Sequence, residues 1–404
     1  MAKLDAYIYG GVRTPFGRHG GVLAYTRTDD LLASAIKGAI EKVGFPADAV
    51  EDVIAGCVNQ AGEDCRNVAR FAGLLAGVPE TAGALTVNRL CGSSLSATLD
   101  AARCVSVGDA DLYVACGVEG MSRAPIVMKK PTEAFTRQAE AYDTTIQPRF
   151  MNPVFKKEWG YETMPETAEN VAKEFGISRE RSDAYAYNSQ QRYAQAAARG
   201  FYDDEIMSME VATANRKVQA TVDKDEHPRP DTSLEKMGQL RPLFEGGVVT
   251  AANASGINDG AGAIFVGSRA AGEKHGIKPM ARILSGAIAG VPPRTMGIGP
   301  GYAIPKALER AGLTLKDMDL IEINEAFACQ VLGCNEILKL ADDEERLNPN
   351  GGAIAIGHPL GASGVRLALT GARSLAERCG RYAVISACIG VGQGIAMVIE
   401  REDA

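Results

Sequence analysis

Four short segments of this sequence combine residue types that could do chemistry. In Asn88-Arg89-Leu90-Cys91-Gly92-Ser93-Ser94, a cysteine stands between the strand-like run Ala84-Leu85-Thr86-Val87 and an alanine-rich helical stretch. A thiol at a strand-to-helix turn lies at a helix N-terminus, where peptide dipoles and free N–H groups favour a thiolate and can hold an oxyanion. In Gly357-His358-Pro359-Leu360-Gly361-Ala362-Ser363-Gly364, a histidine locked between Gly and Pro is well placed as a base, and the preceding run Gly352 to Ile356 reads as a strand. Cys388-Ile389-Gly390-Val391-Gly392-Gln393-Gly394 puts a second thiol in a glycine frame that lets backbone N–H groups approach a ligand. It is no dinucleotide loop, because the apolar, β-rich run Ile395 to Ile399 follows in place of a helix. Asn324-Glu325-Ala326-Phe327-Ala328 follows the strand-like Leu320 to Ile323. Each segment also has a plainer reading: a small cysteine buried at a turn, a histidine bonded into a turn, a flexible glycine loop, an asparagine capping a helix.

Composition narrows the chemistry. The net charge is −7, which excludes a broad surface for nucleic acid or an anionic membrane but leaves room for local basic patches. No run of about 18 apolar residues is present, so no membrane helix is expected. The first residues, Met1 to Tyr9, read as a strand and not as a signal peptide. Nine scattered cysteines with no C-x-x-C pair suit reduced thiols in a cytoplasmic compartment and argue against structural zinc. Histidine chemistry must come from His19, His227, His275 or His358.

The elements that must hold these groups come in two copies. Ala35-Ile36-x-x-Ala39-x-Glu41-x-x-Gly44 recurs as Ala303-Ile304-x-x-Ala307-x-Glu309-x-x-Gly312, and each copy leads into an acidic residue and an apolar run, Asp52-Val53-Ile54 and Asp319-Leu320-Ile321. Each reads as an amphipathic helix, a glycine stop and a buried strand. The stretch from Cys91 to Gly117 has a looser partner from Gly361 to Cys388. Two distant copies mean two similar α/β domains with mixed sheets. Between them, residues 121–249 are richer in charge, Pro and Met and hold the one Trp, Trp159. Glu166 to Ala198 reads as helices and Asp223 to Asp231 as an irregular loop. Such an excursion from a compact core is often functional.

Taken together, the four segments resemble the thiolase family. Arg13-Thr14-Pro15-Phe16-Gly17, Gly117-Val118-Glu119-x-Met121-Ser122 and Thr250 to Ala261 extend the resemblance from end to end. It implies two αβα-layered core domains, formed by residues 1–120 with 250–275 and by 276–404, and an inserted CoA-binding loop domain, 121–249. By the same resemblance Cys91 takes the acyl group, His358 activates it, and Cys388 moves the proton on and off the α-carbon of the second acyl-CoA. The resemblance implies further that Asn324 and His358 position a water on the thioester oxygen, and that the N–H groups of Cys91 and Gly390 form a second oxyanion site. Ser255, Phe244 and Met164 match positions along the pantetheine channel, and Arg229 matches a basic residue near the nucleotide. No metal or redox cofactor is implied. The resemblance also implies that coenzyme A enters as acyl-CoA and as free CoA, and that the assembly is a homotetramer, a dimer of dimers.

Of three departures from the family pattern, only Thr163 bears on the acyl pocket. Ser94 and Ala252 stand where the family often has glycine, and Thr163 stands where thiolases of acetoacetyl units often have histidine. Ala61 to Arg70, Asp225 to Thr232 and the Cys388 segment are similar to one subgroup, the 3-oxoadipyl-CoA thiolases of aromatic degradation. A substrate with a distal carboxylate needs a polar or cationic partner, and Arg89, Arg149 and Arg294 are candidates. The competing readings are a general short-chain acetyl-CoA C-acetyltransferase, a decarboxylating 3-oxoacyl synthase, and a non-catalytic acyl-CoA carrier. Cys388 disfavours the synthase, and the presence of Cys91, His358 and Cys388 together disfavours the carrier.

Overall fold

The computed structural model describes residues 4–146, 148–215 and 218–403. The expected N-terminal strand is present over its described part; Met1 to Lys3 lie outside the described residues. The first half of the chain runs β1 (Ala6–Arg13), β2 (Gly17–Arg18), α1 (Thr28–Val43), β3 (Asp52–Gly56), α2 (Val68–Leu75), β4 (Gly83–Val87), α3 (Ser93–Val107) and β5 (Leu112–Gly120). The middle carries β6 (Ile126–Met128), β7 (Ala141–Asp143), α4 (Pro153–Trp159), α5 (Met164–Phe175), α6 (Arg179–Ala198), β8 (Met209–Ala212), β9 (Gln219–Val222) and α7 (Leu234–Gly238). Then follow β10 (Asn258–Gly267), α8 (Arg269–His275), β11 (Ala281–Gly290), α9 (Gly299–Ala311), β12 (Leu320–Ile323) and α10 (Ala328–Leu338). The chain closes with α11 (Ala353–Ile356), α12 (Ser363–Glu377), β13 (Tyr382–Ile389) and β14 (Gln393–Arg401).

The repeat seen in the sequence is a repeat in space. Helices α1 and α9 both end at a glycine in the left-handed region, Gly44 at φ 90° and Gly312 at φ 73°, where a side chain would be strained. Strands β3 and β12 then enter as parallel partners, β3 beside β4 and β5, and β12 beside β13. The two expected sheets are not separate. They join through the antiparallel pair β1 and β11, with Ala6 opposite Ile283, into one mixed sheet of order β12-β13-β14-β11-β1-β10-β5-β3-β4. Strands β6 to β9 form two small ribbons outside it.

Packing explains the layering. Leu95 and Leu99 of α3 and Val365, Leu369 and Leu375 of α12 share one buried core with strand residues of both halves, such as Ile8, Ile264, Ile385 and Ile399. The other strand faces are covered by α1 and α2 in the first half and by α9 and α10 in the second. Helices α3 and α12 therefore pack together against the strands of both halves of the sheet, and their N-termini meet. A Cβ on Gly364 would stand 2.2 Å from the Leu95 nitrogen, so only glycine permits this crossing. The Ser94 hydroxyl, in a position noted as a departure, accepts the Val365 N–H at 2.9 Å and so caps the neighbouring helix, whose own N-cap residue, Ala362, makes no side-chain cap bond.

One expected strand is a helix. Gly352 to Ile356 reads as a strand from its apolar residues, yet Ala353–Ile356 is one helical turn, closed by the Gly357 N–H donating to the Ala353 carbonyl at 2.9 Å. Periodicity cannot separate a buried helical turn from a buried strand of this length. The decisive partners are remote: Ser189 takes the Gly352 N–H and Glu325 takes the Ile354 N–H, both at 3.1 Å. The place beside β12 that matches β4 is reduced to a single bridge, Leu347 to Ile321. Among the described residues no helix is long and apolar enough to cross a membrane.

Candidate active site

The nucleophile turn is built by local hydrogen bonds. Ser93 Oγ accepts the Arg89 N–H at 2.9 Å and donates to the Leu90 carbonyl at 2.6 Å, while Asn88 Oδ1 accepts the Leu90 N–H at 3.0 Å. These bonds hold Leu90 at φ 46°, a conformation that costs energy in a residue with a side chain. The turn presents Cys91, which is partly exposed, at the start of α3. Burial pushes its thiol up to about 11, against the N–H groups of Gly390 and of Cys91 itself, which favour the thiolate. Both expected oxyanion donors therefore face this sulfur.

His358 is held on three sides. Its N–H donates to Asn258 Oδ1 at 2.9 Å, and Asn258 Nδ2 donates in turn to the Gly17 carbonyl at 3.0 Å. Its Nδ1 lies 2.6 Å from Ser363 Oγ, whose proton is already given to the Pro359 carbonyl at 2.9 Å. Ser363 can then only accept, so the ring proton sits on Nδ1. Nε2 carries the lone pair, 3.3 Å from Asn324 Nδ2. Burial, and then the charge of Arg366, hold the imidazolium form down to about 3. The resting imidazole is neutral and ready to accept a proton.

Cys388 is wholly buried near the end of β13. Burial first, then the neighbouring thiols of Cys91 and Cys334, push its thiol well above the ordinary range, so it rests as a proton donor. Asn324 is buried and its Oδ1 has no hydrogen-bond partner among the described residues. Met164 closes one side: a Cβ on Gly390 would lie 3.6 Å from its sulfur and 3.2 Å from Leu90 Cδ1. Ser255 is adjacent through its N–H, which donates to the Ala326 carbonyl at 2.9 Å in the Asn324 segment.

Other expected residues lie apart. Phe244 lines a cleft of about 620 Å³ with one cation, Lys173, and with Glu162, Glu166 and Glu169, whose carboxylates are ill suited to an anionic nucleotide. Arg229 turns one guanidinium nitrogen back on the carbonyls of Glu226, His227 and Pro228, at 2.8 to 3.2 Å. Neither touches the catalytic set. Thr163 caps α5: its N–H and hydroxyl both donate to Glu166, at 2.6 and 2.8 Å, so the hydroxyl is not free for a substrate.

Sequence reading passed over several residues that support the site. Ser363, Asn258 and Ser93 all lie inside the quoted segments. Glu119 does too. Its buried carboxylate accepts the N–H groups of Val58, Asn59 and Gly361, at 3.1, 3.0 and 2.9 Å, and so ties the loop after β3 to the His358 segment. Burial pushes it up to about 7 despite those bonds. Cys57, Asp64 and Glu119 bring three possible metal donors within 4.8 Å, but both Glu119 oxygens and Asp64 Oδ1 are already taken by backbone N–H groups.

The comparisons with known proteins bear on the whole chain. Residues 6–270 match the family model for the thiolase N-terminal domain and residues 277–401 that for the thiolase C-terminal domain. The chain belongs to the thiolase family. It is 53% identical over 400 residues to a beta-ketoadipyl-CoA thiolase of Escherichia coli, covering 98% of this chain and 99% of that one. A beta-ketoadipyl-CoA thiolase of Acinetobacter baylyi is 53% identical over 401 residues, again with 98% and 99% covered. The crystal structure of human mitochondrial 3-ketoacyl-CoA thiolase superposes with a TM-score of 0.91 at 40% identity, covering 99% of both chains. The mixed α/β thiolase fold expected from the sequence is the fold observed.

The Ser363 contact makes a specific prediction for this thiolase. Ser363→Ala removes the acceptor that fixes the Nδ1–H tautomer. We expect kcat to fall on the order of 10²-fold, the lower end of what positioned proton transfer contributes, with KM little changed. Steady-state thiolysis kinetics check this; an unchanged kcat would show that Asn324 and Asn258 suffice.

Proposed function

We propose that this thiolase cleaves 3-oxoadipyl-CoA with free CoA to give succinyl-CoA and acetyl-CoA. The observation that carries the chemistry is a neutral imidazole whose Nε2 faces Asn324, itself bonded to Ser386 of the strand that carries Cys388, together with a thiol facing the Gly390 N–H and lying beside that buried second thiol. His358 takes the Cys91 proton as sulfur attacks the 3-oxo carbonyl. The C2–C3 bond breaks, its electron pair becomes the acetyl-CoA enolate, and Cys388 protonates that carbon. The Cys388 thiolate then takes the proton of the incoming CoA thiol. CoA sulfur attacks the acyl-Cys91 thioester, and Cys91 leaves as thiolate and recovers its proton from His358. Each charge is transient and is met by a preplaced donor, which is what retro-Claisen cleavage requires. Neither a metal nor a redox cofactor has a step to perform.

Residues 121–249 serve as the CoA-binding insert, with Met164 and Ser255 along the pantetheine, Phe244 farther out and Arg229 toward the nucleotide. The chain works as a homotetramer in the cytoplasm. The free edge of β4 supports association: Leu85, Phe71 and Leu75 beside it are 48%, 50% and 60% exposed, a surface that a second copy would cover.

The diacid preference rests on the likeness to beta-ketoadipyl-CoA thiolases. Of the three candidate arginines, Arg89 is held by Ser96 and Gln393, and Arg294 is exposed beside Asn170. Arg149 has one bond, NH2 to the Asn59 carbonyl at 2.6 Å, in the loop whose Val58 carbonyl accepts from Asn88 of the nucleophile turn. None of the three forms an ion pair with a carboxylate among the described residues. A thiolysis panel tests the reading. 3-Oxoadipyl-CoA should exceed 3-oxohexanoyl-CoA in kcat/KM, and Arg149→Met should remove about 2–5 kcal/mol of that preference. Equal or better turnover of 3-oxohexanoyl-CoA would leave a general short-chain acetyl-CoA C-acetyltransferase.

A further inference from the structure

Behind His358 lies a second tier of charge that the mechanism above does not use. Asn324 extends β12, its N–H donating to the Ser386 carbonyl at 2.9 Å, so Glu322, two residues earlier, faces the same side of the strand. Ser363 opens α12, and Arg366, three residues later, lies on the same helix face. The upper tier is Asn324, His358 and Ser363. The lower tier is Glu322 and Arg366, with Oε2 and NH1 3.8 Å apart.

The lower tier is an odd structural pair. Both residues are fully buried, at 0% exposure. Among the described residues, none of the three Arg366 guanidinium nitrogens and neither Glu322 oxygen has a hydrogen-bond partner. A buried ion pair without supporting hydrogen bonds does not recover its desolvation cost, and well-packed apolar residues would serve stability as well or better. Its place one turn of helix and two residues of strand behind the groups that hold both ring nitrogens suggests another use.

We infer that Arg366 is a positioning residue for His358: the fixed guanidinium charge, seated beside Glu322, keeps the imidazole neutral with its Nε2 lone pair turned to Asn324. The inference rests on His358 being the base of the proposed function. It is consistent with Arg366 acting to lower the imidazolium, and with burial holding the Glu322 carboxyl above its ordinary range despite Arg366. Other charged groups reach the two tiers from neighbouring elements. Glu325, Glu205 and Arg192 act on Glu322, and Glu119 acts on Cys91. They are unchanged in the variants below.

The test follows the pH dependence of Cys91 alkylation by iodoacetamide and of thiolysis kcat/KM in the full-length enzyme. In Arg366→Met the imidazolium is no longer opposed. The acidic limbs of Cys91 alkylation and of kcat/KM, which both need His358 unprotonated, should move with His358 to higher pH by about one unit or more, the shift one nearby charge produces. Arg366→Lys, which keeps the charge, should restore both. Glu322→Gln, which keeps the shape and the uncharged form that burial favours in acid, should leave both acidic limbs in place. A purely structural pair predicts lower thermal stability and activity in all three variants with unshifted profiles, and that result would overturn the inference. His358→Ala separates the underlying reading. If its alkylation profile equals that of the unmodified enzyme, His358 is not the base, whatever the tier does.

Discussion

Cys91→Ala should abolish thiolysis while leaving the fold intact. Loss of the sulfur removes the atom, facing the Gly390 N–H at the start of α3, that is to form the thioester. Covalent catalysis divides the reaction into acyl transfer to the enzyme and acyl transfer to CoA, and without the nucleophile neither half exists. Residual binding and oxyanion donors cannot substitute for the missing nucleophile. Activity should therefore fall by at least about 10⁴-fold, the scale on which removal of a nucleophile is felt. The side chain is small and partly exposed, so thermal unfolding should shift little. The checks are coupled thiolysis kinetics and calorimetry on the same preparation. Near-normal turnover would sink the assignment.

Cys388→Ala should separate the two half-reactions. Acylation of Cys91 requires only Cys91, His358 and the oxyanion donors, whereas making and quenching the enolate requires the second thiol. In the variant, acetyl-CoA should still acetylate Cys91, but exchange of its α-protons with deuterated solvent should stop, and thiolysis should drop by about 10³-fold or more. The strong elevation of this thiol by burial sets the pH sense. It is protonated and able to donate across the neutral range, and it loses that ability only in strongly alkaline solution. Because Cys388 is wholly buried, Cys388→Ser provides a second variant of closer volume. Exchange retained with acylation lost would reverse the roles of the two cysteines.

Much of this candidate site was legible because its residues are concentrated in short segments at the junctions between elements. The cysteine of Cys91-Gly92-Ser93-Ser94, the histidine between Gly357 and Pro359, and the asparagine after Ile323 each sit where a strand or turn hands over to a helix, and the periodicity of the flanking residues shows it. The glycine stops at Gly44 and Gly312 revealed the duplication, because a left-handed helix end leaves a mark at a single position. What escaped depends on partners remote in sequence. The turn at Ala353–Ile356 is helical because Ser189 and Glu325 take its free N–H groups, contacts no local pattern encodes. The two sheets merge because Ala6 pairs with Ile283 across 277 positions of chain. Thr163 was noted for its identity, but its hydroxyl serves a helix cap, and only the neighbouring Met164 reaches the site. The Glu322 and Arg366 tier was invisible as a pair, since each residue alone reads as an ordinary charge beside a motif.

The most direct measurement follows the acyl group. Enzyme mixed with 3-oxoadipyl-CoA in the absence of free CoA is quenched in acid, digested and examined by mass spectrometry. The mechanism places C3 to C6 of the substrate on the enzyme and releases C1 and C2 as acetyl-CoA. The expected result is a single succinyl group, as a thioester, on the peptide carrying Cys91, discharged as succinyl-CoA when CoA is added. A succinyl group on Cys388, or acetyl-CoA release and full turnover with no acyl group on Cys91, would contradict the account.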